Sequence, residues 1–144
     1  MIVMSGYLDD DEYNRWQSHA KSTLRSAQID KASGFYNWAC FKAQQAAEYS
    51  SKAFLRGAGI DSYGHSVSLL LNRGGFSQEL INLAKKIDKY YIPTRYTDAW
   101  SEGLPEDYYT IDEVEEAILS AEGVIREVEE RWKSLKNEKS NVTK

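Results

Sequence analysis

Arg95 stands among Tyr91, Tyr96 and Trp100, a combination suited to a phosphorylated aromatic ligand. A guanidinium clamps phosphate bidentately while aromatic rings stack on a base. The same arginine can instead anchor its own loop by bonding carbonyls or Glu48, with the tyrosines packed over the helices, and the sequence leaves both readings open. Gln45, Glu48 and Lys52 fall three and four residues apart, so one helical face carries them, with Glu48 and Lys52 spaced for an ion pair. If that face approaches the Tyr91 to Trp100 segment, the Gln45 amide can read a base and the Lys52 ammonium can hold phosphate. Otherwise the pair is a solvated surface feature.

The remaining reactive side chains are sparse. His19 and His65 are the only histidines, and a histidine without a second His, Cys or carboxylate cluster is poor evidence for metal. His65 follows Gly64 at an expected helix start and reads as a capping or packing group. Cys40 is the only cysteine, which excludes an intrachain disulfide or a cysteine zinc site and reads as a buried thiol in a reducing compartment. Tyr108 and Tyr109 precede another expected helix start and read as packing groups. With no phosphate-cradling glycine loop and no nucleophile set, neither a catalytic residue nor a metal ligand is assigned.

The elements that must position these groups are helical. Tyr13, Trp16, Ala20, Leu24 and Ala27 recur at helical steps within Asp11 to Ile29, behind an Asp9 and Glu12 capping pair. Phe35 to Leu55 carries a small-residue ridge, Ala39, Ala43, Ala46, Ala47 and Ser50, and Gly57 with Gly59 is expected to end it. A short helix over His65 to Asn72 is stopped by Gly74 and Gly75, and Phe76 and Ser77 form a staple and cap for Gln78 to Tyr90. Tyr91 to Tyr109 lacks periodicity and holds both prolines, the pattern of a long ordered loop. Thr110 and Glu113 have capping-box spacing before one apolar stripe, Val114 to Leu135. The expectation is an all-α, up-down antiparallel bundle of about five helices. A single domain spans 1–136, and the polar residues 137–144 are expected to fray.

Charge is unevenly placed. Residues 1–97 hold 12 basic and 9 acidic side chains, residues 98–130 hold 1 and 12, and residues 131–144 hold 5 and 1. The acidic last helix repels phosphate backbones and argues against duplex DNA binding, while its outer face is solvated or meets a basic partner. No run approaches the roughly 20 apolar residues of a membrane span, and Met1 to Glu12 lacks the features of a secretory signal. The expected location is therefore the cytoplasm.

Tyr91-Ile92-Pro93-Thr94-Arg95-Tyr96-Thr97-Asp98-Ala99-Trp100, followed by Glu102-Gly103-Leu104-Pro105 and Tyr108-Tyr109-Thr110, closely resembles the loop-plus-helix signature of HEPN (higher eukaryotes and prokaryotes nucleotide-binding) domains. Phe41 to Glu48, with Lys52 one turn on, resembles the second helix of that family, and Gly64-His65-Ser66 the start of its third. The resemblance covers roughly residues 9 to 130. One departure is Thr97 where many members have proline. The resemblance implies a helical bundle, frequently a homodimer, often encoded beside a minimal nucleotidyltransferase in toxin–antitoxin-like pairs. It implies no cofactor beyond a nucleotide ligand such as ATP. The candidate nucleotide-binding residues, taken from the side-chain chemistry above, are Arg95, Tyr91, Tyr96, Trp100, Gln45 and Lys52.

Many HEPN members are metal-independent ribonucleases with an Arg, four to six intervening residues, then a His. Here Trp100, Ser101 and Glu102 follow Arg95 at those positions. That removes the expected acid/base group and makes a stand-alone enzyme the weaker reading. The alternatives are an unconventional ribonuclease toxin using Arg95 with a tyrosine hydroxyl, or a purely structural dimerisation module.

Overall fold

The computed structural model describes residues 7–142. The start of the Met1 to Glu12 segment, residues 1–6, and residues 143–144 of the polar tail lie outside the described residues. Five α-helices and no strand occur among the described residues: α1 (Asp10–Ala32), α2 (Tyr36–Ala58), α3 (Val67–Arg73), α4 (Gln78–Asp88) and α5 (Ile111–Val142).

Side chains start most of these helices. The Asp9 carboxylate accepts from the Glu12 amide at 3.1 Å, and Ser66 and Ser77 accept from the Leu69 and Leu80 amides. At α5 the capping box is reciprocal, because the Thr110 amide donates to Glu113 and the Glu113 amide donates to Thr110. Each satisfies a donor that the first helical turn leaves without a partner.

Several boundaries differ from expectation. Gly59 ends α2 in the left-handed region at φ 75°, but Gly57 lies within the helix, where the Trp132 ring crosses it. A Cβ there would lie 2.6 Å from Trp132, so Gly57 serves close packing, not termination. Helix α3 begins at Val67 because Ser66 is its cap, which leaves His65 outside the helix. Helix α4 ends at Asp88, short of Tyr90. The long loop contains two 3₁₀ turns, Thr97–Ala99 and Pro105–Tyr108. Helix α5 continues past Asn137 to Val142.

Helix α2 is central and packs on α1, α3, α4 and α5. Its small-residue ridge, Ala39, Ala43, Ala46, Ala47 and Ser50, is fully buried, which lets neighbouring helix backbones approach closely. The α1–α5 crossing is antiparallel, with Lys136 on Asp10 at one end and Lys31 on Glu115 at the other. Between α1 and α2, the buried Gln17 side chain accepts from Ser50 at 2.7 Å and also donates to the Ile125 carbonyl of α5. One polar residue thereby sets the register of three helices without leaving a buried group unpaired.

Candidate functional site

The loop after α4 is tied down before it reaches Arg95. Thr94 is fully buried, its Oγ1 donates to the Tyr90 carbonyl at 2.6 Å, and its own carbonyl accepts from Asn37 of α2 at 3.0 Å. The Arg95 side chain then lies among three rings, with its guanidinium carbon 4.5 Å from the Phe41 centroid, 4.5 Å from Tyr91 and 5.0 Å from Tyr96. Arg95 Nε donates to the Tyr91 carbonyl at 2.8 Å. Its Nη1 and Nη2 have no hydrogen-bond partner among the described residues. The anchoring reading therefore describes one nitrogen, bonded to a carbonyl of its own loop and not to Glu48, while the other two have no protein partner among those residues. Tyr96 is 52% exposed, so the cradle opens to solvent.

Trp100 stands apart from this group. Its indole nitrogen donates to the Pro93 carbonyl at 2.9 Å, and its ring stacks on Tyr108 at 4.0 Å and meets Tyr109 edge-on. The Tyr108 hydroxyl donates in turn to the Glu102 carbonyl. These contacts fold the loop upon itself and hold its second half against the start of α5.

Gln45, Glu48 and Lys52 share one face of α2, and Glu48 is their hub. Its carboxylate is 2% exposed and accepts from Lys52 at 3.1 Å, Gln44 at 3.2 Å and Gln45 at 3.3 Å. Lys52 and Gln45 are thus engaged by their own helix, and Gln45 also accepts from the Tyr49 hydroxyl at 2.9 Å. Burial, followed by the Glu48 charge and Tyr91, raises the Tyr49 phenol above the ordinary tyrosine range.

His65 links this hub to the cradle, a connection that the sequence reading did not find. Its Nδ1 donates to Glu48 at 3.3 Å, and its ring stacks on Tyr91 at 4.6 Å with an interplanar angle of 17°. In a neutral imidazole that bond places the proton on Nδ1 and leaves Nε2 as an acceptor. The Tyr91 ring therefore touches both His65 and Arg95. Phe41, the third wall of the cradle, was also missed as a site residue. A helical offset of four and seven residues from Gln45 and Glu48 could have pointed to it.

The segment carrying His65 is held by Asp88. The Asp88 carboxylate accepts from the Val67 and Ser68 amides at 2.6 and 3.2 Å and from the Ser66 and Ser68 hydroxyls at 3.0 and 2.6 Å. No group of three or more metal-ligating side chains occurs among the described residues. What the arrangement can do is hold an anion at the free Arg95 nitrogens, flanked by aromatic faces, with the His65 imidazole stacked on the same Tyr91 ring.

The HEPN domain model matches residues 13–131. This chain belongs to the HEPN domain family. Three solved structures are similar to this chain, two of them described as HEPN proteins. TT1696 from Thermus thermophilus is 41% identical, with a TM-score of 0.78 over 82% of this chain and 96% of that one. ST0689, described as an archaeal HEPN homologue, is 35% identical, with a TM-score of 0.73 over 83% and 96%. The HEPN domain protein tm0613 from Thermotoga maritima is 33% identical, with a TM-score of 0.66 over 83% and 98%. A search of curated proteins gave no match. No helix among the described residues of this HEPN domain is long and apolar enough to cross a membrane.

Proposed function

We propose that this HEPN protein binds a nucleotide at the Arg95 cradle and acts as the accessory member of a pair with a minimal nucleotidyltransferase, as a cytoplasmic homodimer in a toxin–antitoxin-like system. The observation that carries the reading is the pair of unpartnered Nη groups of Arg95 held among Phe41, Tyr91 and Tyr96. A guanidinium fixed by its Nε and by three ring faces loses little freedom when phosphate binds. The exposed Tyr96 ring offers a stacking face for a base. In this reading Gln45 and Lys52 support the cradle through Glu48, and Trp100 shapes the loop, so neither set touches the ligand directly.

The test is calorimetric titration with ATP and the other nucleoside triphosphates. The wild type is expected to bind, Arg95→Ala to lose binding, and Arg95→Lys to bind more weakly because an ammonium cannot clamp bidentately. Absence of binding by the wild type would overturn the nucleotide reading.

A second reading is favoured by one observation: His65, on a different element from Arg95, shares the Tyr91 ring with it. In this reading a phosphodiester held by Arg95 reaches past the Tyr91 ring to the His65 imidazole, which the buried Glu48 carboxylate orients for proton transfer. Cleavage of single-stranded RNA that is lost in both His65→Ala and Arg95→Ala supports it. Cleavage unchanged in His65→Ala refutes it.

A further inference from the structure

Away from the Arg95 cradle, α1 and the first turns of α5 enclose a groove of about 700 Å³ whose walls include Ala32, Ile111, Ile118 and Leu119. A second groove of about 390 Å³ runs on the other side of α5, between Leu83 of α4 and the same Leu119. Leu119 forms the ridge between them and is 67% exposed, more than any other described aliphatic side chain identified as exposed. The rims are predominantly acidic: Glu115 and Glu122 border the first groove together with Lys31, and Asp112, Glu115 and Glu116 border the second. Lys31 and Lys86 reach Glu115 and Glu116, whereas Asp112 and Glu122 have no ion-pair partner among the described residues.

We infer that this face docks a basic amphipathic helix of a partner protein. Leucine-sized side chains of that helix would fill the groove beside Leu119 while flanking lysines or arginines meet the acidic rims. The groove wall from Ile111 to Glu122 is about three helical turns long at roughly 1.5 Å per residue, which matches a helix of three to four turns. Charge complementarity selects the occupant, because an acidic or uncharged helix would leave the Asp112 and Glu122 carboxylates unpaired. Among the described residues, the basic end of α5 is engaged in its own fold and is a poor source for that helix in a second copy: Arg131 donates to the Gly74 and Gly75 carbonyls, Lys136 is paired with Asp10, and Trp132 is buried.

The test uses fluorescence anisotropy of the full chain with a labelled peptide of about 18 residues, with leucines at helical spacing and lysines on the flanks. A scrambled peptide of equal composition serves as the control. Saturable binding is expected to weaken by about tenfold or more in Leu119→Ser, the size of effect that marks an interface anchor. It is also expected to weaken in Glu115→Gln/Glu122→Gln and to fall as salt rises. Leu119 is exposed, so circular dichroism should show Leu119→Ser folded. The inference is overturned by absence of saturable binding, by equal binding of the scrambled peptide, or by indifference to Leu119→Ser. It is equally overturned if light scattering shows a homodimer that Leu119→Ser converts to a monomer, since a second copy would then cover the groove.

Discussion

Asn37, in the first turn of α2, donates its side-chain amide to the Thr94 carbonyl at 3.0 Å, one residue before Arg95. Asn37 is buried and so is its acceptor, which makes this bond the link between the central helix and the backbone that aims the cradle. Asn37→Ala leaves a buried carbonyl without a donor and is expected to cost about 1–3 kcal/mol in urea denaturation. Asn37→Asp should cost more, because it sets a carboxylate against a carbonyl. In the nucleotide reading both variants weaken ATP binding in calorimetry although neither touches the ligand.

Glu48 is a buried carboxylate with four partners, Gln44, Gln45, Lys52 and His65. Glu48→Ala strands a Lys52 ammonium that is only 13% exposed, and breaking a buried pair on one side costs about 3–5 kcal/mol. Glu48→Gln retains the shape and should lose less. Paired denaturation curves of the two variants check the order.

Asp88 satisfies the Val67 and Ser68 amides and the Ser66 and Ser68 hydroxyls. A seven-residue helix such as α3 is too short to persist without such support. Asp88→Ala is expected to cost about 2–3 kcal/mol, since the lost bonds are charge-assisted. A lowered melting temperature, with weaker ATP binding through the displaced His65, is the expected result.

Burial pushes the Cys40 thiol and the Tyr90 and Tyr109 phenols up to about 12, with the Glu113 charge adding to it in each case. These groups hold their protons more tightly folded than unfolded. Below the ordinary thiol and phenol range both states are protonated and nothing changes. Above it the unfolded chain releases protons that the native state keeps, so stability falls as pH rises from about 9 toward 12. Denaturation midpoints measured across that window should decline, and Cys40 should resist alkylation at pH 8 until the chain is unfolded.

The helices were legible because they carry apolar or small residues at helical spacing and all but α2 start at a side-chain cap, and Asp9, Ser77 and Thr110 with Glu113 cap where their spacing indicates. Gly57 was misread as a stop. A glycine near a helix end signals termination only if nothing packs against it, and the partner, Trp132, lies far along the chain. Gly57→Ala should therefore destabilise by about 1–3 kcal/mol through overpacking, not through helix propensity, and calorimetric melting tests this.

Within the site, Arg95 with Tyr91 and Tyr96 was legible from local spacing. The part played by His65 was not, because its contacts with Glu48 and Tyr91 depend on how the turn after α2 brings α3 back over that helix. Trp100 was placed with Arg95 on sequence proximity. The 3₁₀ turn at Thr97–Ala99 lies between them, and Trp100 stacks instead on Tyr108.

Because α2 both packs on every other helix and carries Phe41, Gln45, Glu48 and Lys52, the floor of the cradle cannot open by local fraying. Its amide hydrogens should exchange with solvent only on the scale of whole-domain unfolding, whereas those of the Thr97 to Glu106 stretch should exchange through small local openings. Deuterium uptake would then separate a fixed floor from a yielding rim, and ligand binding would slow uptake mainly at the rim.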